Sequence, residues 1–572
     1  MIYRRLSVNK WLFDTIIVLS LILLLACSLV VKEKSPEAIP QAPVPTEFKR
    51  LTPNLVETSM PVYGGTLTVS LPTPRSFDGH QNVGYGPPAV LPTFNQLVMF
   101  DNTYKECVPE TIIGDLAESW EQSQDGTEIT FRLHQGVTWH DGMPFTADDV
   151  VYSLDKMTDP KRSAISERFP AYESTERTND NTVKINLKYA SAGFLLALAN
   201  PDSVIQAQHL AGTDDTSADF MIGTGPWILN EYLPRVHLKY KRNPSYFKKD
   251  RYGNQFPYLD ELYFVQTGST GGDDAFVAGQ LDVRSAYVSG ITLDRYQYMK
   301  KGAPEALIEP KSSEAGVALY LNMKHKPLDD IRVRRAMGLI IDQRNLIVGH
   351  SGDPIFGIPG QGFLQPAFGL PKGEVAKFMG WDVPMEDRIA EAQRLMTEAG
   401  YADGFQLNMI SSAAAGQTTQ DYVGTNLVFA DALRRYLKIN CEIYPLTGAE
   451  LTLRLKEDKY DIYTNALDVG QDPAQLLAYF GSGGQGNYSH YSNIDLDILL
   501  GELDIIINPI KRQEQIWEIE RLLLTDLPAL PTGIFPMRFM FYYPYVKNLR
   551  YMNALYSNVC RFEDVWIDNS IK

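Results

Sequence analysis

The chain has 572 residues, with 69 acidic and 53 basic side chains, a formal net charge of −16 and 44% hydrophobic residues. This composition excludes an intrinsically disordered chain, and four cysteines are too few for a disulfide scaffold. The acidic excess argues against non-specific nucleic-acid binding and against a polybasic grip on anionic lipid, because both require clustered Lys and Arg.

The N-terminal segment predicts an export signal. Three basic residues precede a nearly unbroken apolar stretch over residues 15–31, an order that keeps the N-terminus in the cytoplasm. Within it, Leu24-Leu25-Ala26-Cys27 resembles the lipobox of bacterial lipoproteins, which implies a signal peptide over residues 1–27 and lipid modification of Cys27. An uncleaved anchor of about 17 apolar residues and plain secretion are the alternatives. Each alternative places the rest of the chain outside the cytoplasm.

Residues 28–61 differ in composition from the segments on either side. Six prolines stand among Glu, Lys, Thr and Ser, and no apolar periodicity is present. Such a segment is typical of a semi-extended tether. The globular body is therefore expected to begin near Tyr63.

The body alternates strand and helix patterns, which favours the α/β class. Period-two or continuous apolar runs predict strands at 67–71, 129–133, 137–140, 236–240, 317–322, 405–409 and 439–444. Helical spacing predicts helices at 329–346, 386–399 and 427–436. Thr146 is expected to cap a further helix together with Asp149, which lies three residues on.

Five collinear segments between about residues 64 and 493 carry a family resemblance. They are LAESWEQSQDG with HDGMPFTADDV (116–153), GTGPW (223–227), LN with PLDDIRVR (321–334), EAGYADGF (398–405) and NYSHYSN (487–493). In these segments the chain resembles the family 5 extracellular solute-binding proteins of ABC importers, the oligopeptide, dipeptide and nickel binding group.

The resemblance implies a two-lobed α/β fold of the periplasmic-binding-protein type II kind, in its large three-domain class, with a hinge between the lobes. Lobe I is expected to be discontinuous, and lobe II to be a single insertion. The boundaries implied are 62–100, 222–312 and 528–572 for lobe I, 101–221 for its subdomain and 313–527 for lobe II.

Sequence motifs of enzymes are absent. The chain contains no H-E-x-x-H, G-x-S-x-G or Walker A pattern, so we predict no catalysis, no metal and no cofactor. Residues 481–486 fit G-x-G-x-x-G, but Asn-Tyr-Ser follows instead of a helix, which favours a flexible loop at the cleft edge. His140 beside Asp141 could suggest a metal or acid–base pair, but a hairpin already explains Asp141 and favours a structural role.

The resemblance also implies contacts with the solute. In peptide-binding members an aspartate shortly before an acidic-Pro pair meets the α-amino group of the peptide, and Asp468 precedes Asp472-Pro473 in this way. The alternative is that Asp468 caps the helix near Pro473. Further cleft contacts are implied at Tyr320, Asn322, Arg75 (to a ligand carboxylate) and Tyr488, with core packing as the alternative for Tyr488.

The sequence thus predicts an extracytoplasmic receptor that delivers peptides to the permease and ATPase of an ABC importer. It is expected to be a monomer of the cell envelope that touches the membrane only through its N-terminus, without a nucleic-acid partner. The alternatives are a binder of sugars or other small solutes, a carboxylate-dependent hydrolase, and a sensor or chaperone. One disulfide among Cys107, Cys441 and Cys560 is possible, and its pairing stays open.

Overall fold

A computed structural model describes residues 51–54, 59–74, 76–81, 87–214, 217–285, 291–312, 316–413, 422–467, 472–484, 486–535, 537–550, 552 and 561–572. Within these ranges, no helix combines the length and the apolar character that crossing a bilayer requires. The predicted signal peptide with Cys27 and the first part of the tether lie outside the described residues. So does Cys560, whereas Cys107 and Cys441 are described and are not bonded to each other.

The strands of the described residues are short and distributed along the whole body. In chain order they are β1 (Thr66–Ser70), β2 (Val98–Phe100), β3 (Ile112–Gly114), β4 (Ala117–Gln122), β5 (Glu128–Leu133), β6 (Tyr172–Asn179), β7 (Thr182–Leu187), β8 (Trp227–Leu233), β9 (His237–Arg242), β10 (Glu261–Val265), β11 (Val283–Arg284), β12 (Leu307–Ser312), β13 (Gly316–Leu321), β14 (Gln406–Ser412), β15 (Asn440–Leu446), β16 (Ile462–Leu467), β17 (Ala529–Pro531), β18 (Met537–Tyr542), β19 (Val546–Lys547) and β20 (Trp566–Ile567).

The helices concentrate in the second half of the chain. They are α1 (Pro87–Val90), α2 (Ala147–Met157), α3 (Gly193–Ala199), α4 (Ser269–Val277), α5 (Leu293–Gly302), α6 (Ile331–Leu339), α7 (Gln343–Ser351), α8 (Lys372–Met379), α9 (Met385–Glu398), α10 (Tyr422–Leu437), α11 (Gly448–Lys456), α12 (Pro473–Leu477), α13 (Ile494–Leu503) and α14 (Pro509–Asp526).

Three sheets organise the molecule around separate apolar cores, two of which lie on the seven-stranded sheet. The seven-stranded sheet has the order β12-β18-β11-β1-β10-β9-β8, the five-stranded sheet β15-β14-β16-β13-β17, and the four-stranded sheet β4-β5-β7-β6. Phe264 and Phe541 are buried on the seven-stranded sheet, Phe131 on the four-stranded sheet, and Leu319 and Ile462 on the five-stranded sheet. These separate cores agree with the α/β class predicted from the alternating elements.

The chain passes twice between the seven-stranded and the five-stranded sheet. The first passage leads from β12 to β13, and the second leads from β17 back to β18. β12 pairs with β18 and β13 pairs with β17, both antiparallel, so the two passages join neighbouring strands of one sheet to neighbouring strands of the other. We call this pair of passages the crossing.

The pairing of β17 concerns one predicted lobe boundary, which stays a prediction. Residues 529–531 were expected in lobe I, because lobe II was expected to end at residue 527. They instead form an edge strand of the five-stranded sheet, with Ala318 opposite Pro531 and Tyr320 opposite Ala529. The chain adds this last strand before it returns, and Pro531 is tolerated there because an edge strand has one side without a partner.

Several predicted elements are confirmed by the described residues. The strand patterns at 67–71 and 129–133 correspond to β1 and β5, and the helix pattern at 386–399 corresponds to α9. The predicted cap of α2 is also present, since the Asp149 carboxylate accepts a hydrogen bond from the Thr146 amide at 2.9 Å.

Two predicted elements differ from the structure. The helix expected over 329–346 is divided into α6 and α7, because the Asp342 carboxylate accepts from the amides of Arg344 and Asn345 and so starts a new helix. The strand expected over 137–140 is only an isolated bridge between Thr138 and Pro144. The bridge rests on two backbone hydrogen bonds, from the Trp139 amide to the Met143 carbonyl at 2.8 Å and from the Phe145 amide to the Val137 carbonyl at 3.0 Å.

Candidate functional site

The parallel strands of the seven-stranded sheet run toward the crossing. β18 begins at the crossing, and β11 pairs antiparallel to it, so β11 runs toward the crossing and ends at Arg284. β1 is parallel to both β11 and β10, and it ends at Ser70. The carboxyl ends of these three strands therefore share one edge of the sheet.

The five-stranded sheet presents the corresponding edge. β13 leaves the crossing at Gly316, and β16 pairs antiparallel to it, so β16 runs toward the crossing and ends at Leu467. β14 is parallel to β16 and ends at Ser412. In open α/β sheets, ligands bind outside the carboxyl ends of the strands. The candidate site therefore lies between these two edges, which we call the facing edges.

Two predicted contact residues follow strands that end at the facing edges. Arg75 comes five residues after Ser70, the last residue of β1, and Asp468 comes directly after Leu467, the last residue of β16. Both residues lie outside the described residues. The helix cap considered as an alternative for Asp468 is supplied instead by Asp472, whose carboxylate accepts from the Ala474 amide at 2.9 Å.

The other predicted residues lie away from the facing edges. Tyr320 and Asn322 stand at the end of β13 that is distant from the crossing, and both are fully buried. The Asn322 amide donates to the Tyr460 carbonyl at 3.0 Å and accepts from the Lys324 amide at 3.1 Å. Both ends of this side chain therefore have partners within the protein. The roles of Tyr320 and Asn322 as solute contacts stay predictions, and this geometry favours structural roles.

The structure brings Tyr320 and Tyr488 together in an aromatic cluster. Their ring centroids are 5.3 Å apart, edge to face, and Tyr463 stacks on Tyr320 and meets Tyr488 edge to face. Burial raises the pKa of Tyr320 well above its ordinary value, and the neighbouring tyrosines add to the rise. The Tyr320 hydroxyl has no hydrogen-bond partner among the described residues. The cluster packs against the core of the five-stranded sheet, and the role of Tyr488 as a solute contact stays a prediction.

At its facing edge the seven-stranded sheet carries polar side chains that the sequence did not single out. The hydroxyls of Ser70 and Thr267 are 2.5 Å apart. Beside them, Nε of Arg284 donates to Asp273 at 2.8 Å, and both side chains of this ion pair are 2% exposed. The only signal of this group in the sequence is the charged residue Arg284 at the end of the short strand β11.

The five-stranded sheet has a matching polar group at its facing edge. Ser411 and Thr464 are register partners on β14 and β16, and the Thr464 hydroxyl donates to the Asn426 carbonyl oxygen from α10. All three residues are fully buried. The Ser411 hydroxyl and the Asn426 amide nitrogen have no partner among the described residues. Both facing edges thus carry hydrogen-bonding groups, which a polar solute requires.

The residues of the H-D-G and G-T-G-P motifs contact each other and hold two segments of the chain together. Nε2 of His140 donates to the Gly225 carbonyl at 2.9 Å, and Nδ1 accepts from the Gly223 amide at 3.3 Å. Burial lowers the pKa of His140 to about 4, so the imidazole is neutral and both nitrogens are used. The structural role predicted for His140 is confirmed, because the H-D-G motif is bonded to the G-T-G-P motif.

Gly223 should not tolerate a side chain. A Cβ at this position would lie 1.9 Å from the Thr93 carbonyl oxygen, so the backbone of the joint would have to move. We expect Gly223→Ala to lower the free energy of unfolding by about 3 kcal/mol, measured by denaturant unfolding. Gly373→Ala is the control, because a Cβ there meets nothing within 4 Å. Equal stability of the two variants would contradict the steric account of the joint.

The G-x-G-x-x-G segment is also part of the packing. A Cβ on Gly486 would overlap the ring of Tyr479, and no helix begins before α13 at Ile494. This arrangement lacks the strand–loop–helix geometry that cradles a pyrophosphate. Among the described residues, no group of three or more His, Cys, Asp or Glu side chains is placed to hold a metal ion.

Residues 111–488 match the sequence model of the bacterial extracellular solute-binding proteins, family 5 Middle. The chain is similar to di/tripeptide-binding protein 2 of Pseudomonas aeruginosa (strain UCBPP-PA14), with 26% identity over 64% of this chain and 70% of that protein. It is also similar to heme-binding protein A of Haemophilus influenzae, with 26% identity over 77% and 81%. The solved periplasmic murein tripeptide binding protein MppA, in its unliganded open form, shares the fold with a TM-score of 0.73 at 19% identity, over 91% of this chain and all of MppA.

Proposed function

Because the chain belongs to the bacterial extracellular solute-binding proteins of family 5, we propose that it is the receptor of an ABC importer and that it binds peptides between the facing edges. The observation that carries this proposal is the geometry of the two sheets. Their parallel strands end toward one shared crossing, and each edge carries buried hydrogen-bonding groups. A peptide backbone offers a donor and an acceptor at nearly every residue, which suits such edges.

Peptides are proposed as the solute on the basis of the relatives. Two of the three named above take their names from di- or tripeptides, and one takes its name from heme. All three are binding proteins, which gives no support to the hydrolase alternative. Within the proposal, Arg75 would meet the peptide carboxylate and Asp468 the α-amino group, because opposite charges in a closed cleft form strong directional bonds.

The predicted domains and partners belong to the same proposal. The seven-stranded sheet would form lobe I, with the four-stranded sheet as its subdomain, and the five-stranded sheet would form lobe II. The crossing would act as the hinge, because two adjacent strands can bend without breaking either core. The receptor would work as a monomer with a permease and an ATPase, held outside the cytoplasm by lipid at Cys27 or by the uncleaved apolar segment.

Mass spectrometry of solute released from the purified, denatured protein tests the binding proposal. We expect peptides in the released fraction, and a higher melting temperature when the emptied protein is given the same peptides, because a ligand stabilises the state that binds it. Release of a heme or sugar would contradict peptides but keep the receptor. The receptor proposal itself would be contradicted if nothing co-purified and neither a peptide panel nor a sugar panel shifted the melting temperature.

A further inference from the structure

The helix α4 begins at the facing edge of the seven-stranded sheet, and its first turn is rich in glycine. β10 ends at Val265 on this edge, and α4 begins at Ser269. Three glycines stand in or directly before the first turn, at Gly268, Gly271 and Gly272. A strand, a glycine-rich turn and a helix N-terminus in this order bring backbone amides close to a ligand and favour a negative charge on it.

The first turn of α4 has donors without acceptors. Gly268 at the N-cap has no side chain that could cap the helix, and the first turn contains no acidic residue. No described residue accepts a hydrogen bond from the amides of Thr270 and Gly271. A Cβ on Gly268 or on Gly271 would meet nothing within 4 Å, so the turn borders open space. The positive end of the helix dipole therefore faces this space uncovered.

A buried arginine beside the turn also has a free donor. Arg284 is the register partner of Ser70 and is 2% exposed. Its Nε donates to the Asp273 carboxylate of α4 at 2.8 Å, whereas its Nη2 has no partner among the described residues. Nε and Nη2 lie on the same side of the planar guanidinium, so Nη2 faces α4 as well. A buried donor without a partner is rare, and it points to an acceptor that comes from outside the protein.

Two hydroxyls complete this group. A Cβ on Gly272 would lie 2.5 Å from Oγ1 of Thr267 and 3.2 Å from Oγ of Ser70, so the turn packs directly on both side chains. Only glycine permits this close approach of the backbone. We call Ser70, Thr267, Arg284 and the backbone of residues 268–272 the cradle.

The acidic residues of α4 do not cancel the positive charge of the cradle. The Asp273 carboxylate is shared by Nε of Arg284 and Nε of Arg295, at 2.8 and 2.9 Å. Arg295 also pairs with Asp274 at 2.7 Å. Each of these carboxylates thus has a guanidinium partner, and the free amides with Nη2 of Arg284 are left to meet another anion.

We propose that the cradle binds an anionic oxygen group of the solute, which is the terminal carboxylate when the solute is a peptide. The amides of the first turn and Nη2 of Arg284 donate to its oxygens. A phosphate presents the same chemistry, so the cradle selects solutes by this charged group. The proposal rests on the receptor function and names the chemistry of one end of the solute. It uses described residues only and is independent of the role proposed for Arg75.

The test compares Gly271→Asp with Gly373→Asp in the full chain. Gly271→Asp places a carboxylate in the first turn of α4, where the helix dipole favours it, so the fold is retained while a bound anion is repelled. Gly373→Asp makes the same change in the first turn of α8, at a glycine whose Cβ would also meet nothing within 4 Å. Calorimetry measures the dissociation constants of trialanine and trialanine amide. Melting temperatures are measured with and without inorganic phosphate.

We expect the wild type and Gly373→Asp to bind trialanine about tenfold more tightly than its amide, because charge-assisted hydrogen bonds are lost with the carboxylate. Gly271→Asp should lose this preference, and phosphate should raise its melting temperature less than that of the other two proteins. The proposal is overturned if Gly271→Asp keeps both the preference for trialanine and the response to phosphate of the wild type.

Two further outcomes separate the parts of the proposal. If neither tripeptide binds the wild type, peptides are excluded as the solute, and a phosphate response that Gly271→Asp does not weaken then overturns the cradle as well. Arg284→Lys should lower the preference for trialanine, because an ammonium group cannot bond Asp273 and the anion in the geometry of the guanidinium. An unchanged preference in this variant would overturn the part assigned to Nη2.

Discussion

Replacement of Asp115 by alanine is expected to lower the free energy of unfolding by about 3 to 5 kcal/mol. Asp115 is fully buried, and its carboxylate accepts from both terminal nitrogens of Arg561, at 2.7 and 2.5 Å. Lys248 adds a third cationic contact at 2.6 Å. Loss of the carboxylate leaves Arg561 and Lys248 without their direct partner, with the Glu563 carboxylate 4.0 Å from Lys248 as the remaining nearby counter-charge, and this penalty exceeds the value of an ordinary hydrogen bond.

The matched control for this substitution is Glu121→Ala. Glu121 is paired with Arg132 at 3.3 Å, but the two side chains are 77% and 64% exposed. An exposed pair of this kind contributes at most about 1 kcal/mol. The melting temperatures and free energies of unfolding of Asp115→Ala and Glu121→Ala should therefore differ clearly. Similar melting temperatures would mean that the buried charges around Asp115 are compensated by other groups.

The dependence of stability on pH gives a second test of the role of Asp115. Burial by itself would raise the pKa of this carboxyl, but the charges of Arg561 and Lys248 outweigh burial and lower the pKa to about 2. The folded pKa lies below the unfolded pKa of about 3.9, so the stabilisation is complete above pH 4 and is lost as the pH falls toward 2. The stability difference between the wild type and Asp115→Ala should shrink over that interval.

The second large effect is expected at Glu520 on α14. This fully buried carboxylate accepts from the amides of Phe363, Leu364 and Leu370, at 2.8, 3.2 and 2.6 Å. Glu520→Ala leaves three buried amide donors without a partner, which costs about 1 to 3 kcal/mol for each donor. We expect the free energy of unfolding to fall by at least about 3 kcal/mol, as measured by denaturant unfolding.

Glu520→Gln distinguishes charge from hydrogen bonding at this position. Burial raises the pKa of Glu520 to about 7, although the three amide bonds act in the opposite direction. Since the folded pKa lies above the unfolded one of about 4.3, the contribution is largest at acidic pH and is lost as the pH rises through 7. The stability of the wild type relative to Glu520→Gln should therefore decline between pH 5 and pH 7. A flat difference over this range would contradict the raised pKa.

The sequence predicted the family and the α/β class because both depend on local signals. The alternation of Ile129, Phe131 and Leu133 fixes which face of β5 is buried, and the pair Thr146 and Asp149 marks the start of α2. These signals act over a few residues and can be recognised without knowledge of the tertiary structure. The division between α6 and α7 was missed because helical spacing continues through Asp342, and only its capping bonds reveal the break.

The candidate site was harder to predict because its parts come from distant segments. Ser70, Thr267 and Arg284 meet on one facing edge, and Ser411 and Thr464 meet on the other, although nothing in their local sequence marks them as neighbours. The motif residues were easy to find but serve the architecture, as the bonds from His140 to Gly223 and Gly225 demonstrate. Motifs of this kind identify the family without identifying its solute.

The two passages of the crossing have a consequence for modularity. Because β13 and β17 are paired neighbours, the segment between them enters and leaves its sheet at nearly the same place. A segment with adjacent ends can be inserted into or removed from a host without stretching either part. The five-stranded half could therefore be exchanged as a cassette between relatives, with both junctions placed in the crossing, so that one half of the cleft changes while the other half stays constant.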